Sequence, residues 1–162
     1  MDQPPWLDER EQRAWRAYRR LRLLADSRIA RDLTVDSGLS EPDYDVLSEL
    51  SEAAGHRRRL GELADRMLWS QSRMSHHIKR MQQRGLVRRE DCAGDGRGAD
   101  IVLTDDGLRA IEEAASLHVA SVRRNLIDLL TKDQVQALAE IGETVVRRSA
   151  EADAGDGTRP RG

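Results

Sequence analysis

The stretch from Leu60 to Leu103 most narrows what this chain can become. It holds two short apolar-striped segments at a tight corner, then two β-prone runs around a glycine-rich loop. Leu60, Leu63, Ala64 and Met67 recur at helical spacing, which predicts a short helix ending near Leu68-Trp69. Ser70 has the hydroxyl of an N-cap; Met74, Ile78 and Met81 then fall on one side, and Gly85 closes the helix. Leu86-Val87-Arg88-Arg89 and Ala99-Asp100-Ile101-Val102-Leu103 read as strands. The loop between them, with Gly94, Gly96 and Gly98, is too long for a two-residue turn.

The flanks read as helices. Residues 8–33 carry Trp15, Tyr18, Leu21, Ala25 and Ile29 on one stripe, broken by Asp36-Ser37-Gly38. Ser40-Glu41-Pro42-Asp43 starts a second helix, with Tyr44, Leu47 and Leu50 inward and Gly55 as its stop. Thr104-Asp105-Asp106-Gly107 opens a long helix whose apolar side is Leu108, Ile111, Ala115, Val119, Val122, Leu126 and Leu129. Thr131-Lys132-Asp133-Gln134 is a capping box for a last helix with Val135, Leu138, Ile141 and Val145 on its inner face. The reading is therefore mainly α with a small β-hairpin wing, a winged helix-turn-helix domain flanked by dimerisation helices. The expected division is 1–36 N-terminal dimerisation helix, 37–104 DNA-binding domain, 105–151 dimerisation helices and 152–162 disordered tail. Hydrophobic residues are 38% against 35% charged, with mean hydropathy −0.69. That is little apolar material for a solitary core, so the end helices are expected to bury their stripes in a homodimer.

Charge is unevenly spread. Residues 56–98 hold eleven arginine and lysine side chains against five carboxylates, while 105–153 hold six against ten. A basic middle within a net charge of −2 points to double-stranded DNA as partner. In the segment 70–80, Ser70, Gln71, Ser72, Arg73, Ser75, His76, Lys79 and Arg80 remain outward once Met74 and Ile78 face the core. Arg73 suits guanine, Gln71 suits adenine, and Ser72, Ser75 and Lys79 suit phosphates. Arg97, among wing glycines, suits a narrow minor groove; Asp95 can accept from it or from a strand arginine, and Arg88 lies on the first wing strand. His76-His77 are neighbours and point about 100° apart, so they do not form a chelating pair, and no metal or cofactor is expected. The single cysteine, Cys92, has no partner within the chain and suits a reducing cytoplasm. No apolar run reaches a membrane span and the start lacks a signal-peptide pattern, so a soluble cytoplasmic protein is expected. Asp105-Asp106 fit a helix start rather than catalysis, and no triad or phosphate loop appears, so no enzyme is expected.

Leu39-Ser40, Tyr44-Asp45-Val46-Leu47, Leu63-Ala64-Asp65-Arg66-Met67, Ser70 to Ser75 and Gly85 to Arg89 together resemble the MarR (multiple-antibiotic-resistance regulator) family. Asp95-Gly96-Arg97 followed by Leu103-Thr104-Asp105-Asp106-Gly107 is the most specific part, and the resemblance covers roughly residues 10–149. It implies a triangular homodimer held by the first and last helices, two winged lobes on a pseudo-palindromic operator, a recognition helix at 70–83 and a wing arginine at Arg97. A repressor released by a small-molecule effector is the function it implies. Trp15, Arg16, Tyr18, Arg19 and Trp69 are candidates for an effector pocket, with an aromatic carboxylate suiting the arginines; Trp15 and Tyr18 read equally as interface core. Two departures stand out. Leu68 replaces the usual glycine of the helix-turn-helix corner, and His77 stands where an aliphatic residue is more common. The rival readings are a helical protein-interaction module and a thiol- or metal-responsive sensor.

Overall fold

Side-chain caps set most of the helix starts. Helix α1 (Glu9–Ser37) begins where Asp8 accepts from the Glu11 N–H and Glu11 accepts from that of Asp8. Ser40 and Asp43 exchange the same pair of bonds at α2 (Glu41–Ser51). A 3₁₀ turn at Ala54–His56 leads into β1 (Arg57–Arg59), then α3 (Leu60–Arg66) and α4 (Gln71–Gln83). Strands β2 (Val87–Asp91) and β3 (Ala99–Leu103) follow, then α5 (Asp105–Asn125) and, past a 3₁₀ turn at Ile127–Leu129, α6 (Lys132–Asp156). Thr131 and Gln134 form the reciprocal cap just before α6. The computed structural model describes residues 6–91 and 98–156.

Two units divide the chain, the first running to Val122 and the second from Arg123. In the first, Leu33 of α1 and Leu39 pack with Val46, Leu47 and Leu50 of α2, Leu63 of α3 and Met74, Ile78 and Met81 of α4. Val87, Ile101 and Leu103 add the inner face of the sheet, and Ile111 and Ala114 the start of α5. Each of the larger of these side chains contributes about 1.5–3 kcal/mol by leaving water. Ser121 of α5, fully buried, donates to Asp32 of α1 at 2.7 Å. In the second unit α6 exposes Leu138, Ile141, Val145 and Val146.

The structure adds a strand to the expected hairpin. β3 lies between β1 and β2, antiparallel to both, with Arg57 opposite Val102 and Arg88 opposite the same Val102 from the other side. Three arginines in a row show no apolar alternation; they become a strand only because β3 offers its edge. Three further differences concern helix extents and faces. α1 continues to Ser37, ending at Gly38 with φ 69°. α5 stops at Asn125, and its buried positions are Gly107, Ile111, Ala114 and Ser121 rather than Ala115 and Val119, the latter being exposed. α6 runs to Asp156, past the expected limit of 151.

Candidate nucleic-acid interface

Helix α4 has no carboxylate among its thirteen residues. Ser70 caps it by accepting from the Arg73 N–H at 3.2 Å. Burial of Met74, Ile78 and Met81 fixes its rotation about its own axis. The opposite face then presents Gln71, Ser72, Ser75, His76 and Lys79, which with Leu60 line one shallow cleft of about 460 Å³. Five of the expected DNA-facing residues are thereby brought together. Arg73 and Arg80 are exposed but stand to one side, each resting on an aromatic group. The Arg73 guanidinium lies over the Trp69 ring at 3.8 Å, a cation–π contact, and Arg80 Nη2 donates to His77 Nδ1 at 3.0 Å.

Behind these arginines is a buried polar cluster that the sequence reading did not assemble. Asp43, at the third position of α2, is 3% exposed, and His77 is 5% exposed. Arg84 Nη1 donates to Asp43 Oδ2 at 2.6 Å and its Nη2 to the Gly38 carbonyl at 3.1 Å. The Ser40 N–H also donates to Oδ2, at 3.0 Å. His77 Nε2 lies 3.2 Å from Asp43 Oδ1, bent away from a straight hydrogen bond, while the edge of Trp69 meets the His77 ring at a centroid separation of 5.4 Å. Burial alone would push the Asp43 carboxyl up; the nearby His77 imidazole and the bonds from Arg84 and Ser40 outweigh it and hold the group well below the usual carboxylate range. The available signal was a histidine among inward methionines, since a buried imidazole needs partners. That it would find Asp43, 34 residues away, no local pattern states.

The wing's outer face is a charge lattice. Arg88 donates to Glu90 at 2.7 Å, Glu90 also accepts from Arg57 at 2.7 Å, and Arg57 approaches Asp100 at 3.7 Å. Arg59 lies so close to Gly98 that a Cβ there would meet its guanidinium at 2.8 Å. Arg88 thus sits where expected, with β1 supplying further arginines that the sequence reading left unassigned. Cys92, Asp95 and Arg97 lie outside the described residues.

The candidate effector residues do not share one cleft within the described chain. Trp15 and Arg16 line a cleft of about 310 Å³ with Trp6, Leu7 and Gln12, and Trp15 stacks on Tyr18 at 5.7 Å. Trp69 lines another of about 250 Å³ with Asp45, Ser48, Glu49, Arg66 and Met67. Arg19 is exposed on α1. Among the described residues no group of three or more His, Cys, Asp or Glu side chains is placed to hold a metal, and no helix is long and apolar enough to cross a membrane.

A sequence profile of the MarR family matches residues 37–98, from the end of α1 into the wing. The crystal structure of AbsC, a MarR family transcriptional regulator from Streptomyces coelicolor, is 39% identical, with a TM-score of 0.85 over 91% of this chain and 99% of AbsC. The chain belongs to the MarR family. A second MarR family regulator, Sco3205 from Streptomyces coelicolor, solved in complex with DNA, is 35% identical over 98% of this chain and 94% of its own, with a TM-score of 0.83. PecS, an HTH-type transcriptional regulator from Dickeya dadantii (strain 3937), is 26% identical over 105 residues, and the match spans 63% of PecS. As a MarR-family transcriptional regulator, the protein has in α3, α4 and the three-stranded wing the family's winged helix-turn-helix.

Proposed function

We propose that this regulator is a repressor, acting in the cytoplasm as a homodimer on an inverted-repeat operator. The observation that carries the reading is the face of α4: Gln71, Ser72, Ser75, His76 and Lys79 aligned without a carboxylate, flanked by Arg73 and Arg80. A helix of that composition fits the major groove, where base edges carry a distinct pattern for each pair. The apolar residues that α1 and α6 leave uncovered support pairing of two chains, which would place two such helices about one DNA turn apart. Arg97 would enter the minor groove beside each half-site.

Selection of bound duplexes from a random pool tests this. The expected product is a spaced inverted repeat whose binding weakens steeply with salt as counterions are released. Arg73→Ala should cost about 1–3 kcal/mol and relax discrimination at one base pair, whereas Lys79→Ala should weaken all duplexes alike and flatten the salt slope by about one. Binding to no duplex in dilute salt would favour the protein-interaction module. An effector response is part of the same proposal. The cleft lined by Trp6, Trp15 and Arg16 brings two indoles and a guanidinium together, which suits an aromatic carboxylate. Benzoate should weaken operator binding in the parent and not in Arg16→Ala, since a ligand shifts only an equilibrium whose states it binds unequally.

A further inference from the structure

We propose that His77, oriented by Asp43, is a positioning residue for the Arg80–DNA contact. The inference rests on α4 being the DNA-reading helix and adds a residue that does not itself face the DNA.

The tautomer follows from the partners. An arginine side chain only donates, so the nitrogen facing Arg80 at 3.0 Å, Nδ1, carries the lone pair. The neutral ring then has its hydrogen on Nε2, the atom that faces Asp43 Oδ1 at 3.2 Å. Asp43 is kept ionised and in place by Arg84 and by the Ser40 N–H. Each member of the relay is set by the one behind it. At its end the Arg80 guanidinium is fixed by one N–H and keeps its other donors for a phosphate. A pre-oriented arginine loses less freedom on binding than a free one. The charged groups around the ring are Asp43 of α2 and Arg80 of α4, with Arg84 beyond Asp43; from the corner before α4 the uncharged Trp69 meets it, with Arg73 on that indole.

The test uses the full chain and a duplex selected from a random pool by the parent protein, at constant ionic strength. The affinity ratio between the parent and Arg80→Ala is measured in two backgrounds, with His77 present and with His77→Gln, which keeps a donor for Asp43 and removes the acceptor for Arg80. The ratio is expected to fall at least about threefold when His77 is replaced. Nitrogen-15 NMR of the parent should show His77 as the Nε2–H tautomer at about pH 8, a readout independent of any variant's folding. An equal ratio in the two backgrounds, or the Nδ1–H tautomer, would overturn this inference alone. Failure of every protein to bind any duplex would overturn it together with the DNA-reading assignment.

Discussion

Leu68 occupies the corner between α3 and α4 with φ 54° and 93% of its surface in water. A leucine there has the steric penalty of left-handed backbone, about 1–2 kcal/mol, and packing returns almost nothing. Leu68→Gly removes that strain while adding freedom to the unfolded chain, so a net gain of roughly 0.5–1 kcal/mol is expected. Thermal unfolding should show it as a rise of about 1–4 °C. A second residue with a defined consequence is His118 of α5. Its Nδ1 is buried with no hydrogen-bond partner among the described residues, and its ring lies 4.1 Å from that of Tyr44. Burial lowers its pKa and Asp45 only partly opposes this. The folded state therefore resists the proton that the unfolded chain accepts near pH ~6.5. Its contribution is fully present above that pH and is lost as pH falls from there through the lowered pKa of the folded state. His118→Phe should shrink the drop in urea midpoint between about pH 7.5 and about pH 5.5; an unchanged drop would count against this assignment.

The junction of wing and α5 explains a sequence signature in physical terms. Thr104 Oγ1 donates to the Gly85 carbonyl at 2.6 Å and accepts from the Gly107 N–H at 3.0 Å, so one hydroxyl ends the sheet and caps the helix. A Cβ on Gly107 would stand 2.0 Å from the Leu86 carbonyl oxygen, and backbone cannot yield as a side chain can. Gly107→Ala should cost about 1–3 kcal/mol, read as a lower urea midpoint at unchanged slope. Elements of this kind were legible in the sequence because their causes are local. The caps at Ser40 and Thr131 and the spacing of Met74, Ile78 and Met81 each lie within one or two helical turns. β1 was not legible, since its three arginines gain strand geometry only from β3, more than 40 residues on. The Asp43–Arg84 pair was hidden for the same reason, being 41 residues apart. The outward face of α4 came through intact because its inward face was so plainly marked; the diversion of Arg73 and Arg80 to one side depended on Trp69 and His77, which no periodicity assigns.

At the scale of the molecule, α6 presents Leu138, Ile141 and Val145 at spacings of three and four with Ile141 62% exposed, a stripe that water should not keep. If a second copy covers it, Ile141→Glu places a charge in that seam. Sedimentation should then show monomer where the parent is dimer, and affinity for a two-half-site duplex should fall at least about a hundredfold while a single half-site is bound as before. The link from Arg84 to the Gly38 carbonyl has a mechanical consequence. One guanidinium buttons the tail of the first helix to the tail of α4. If α4 lies in the groove as proposed, a torque applied far back along α1 would arrive there as a change in the angle of approach.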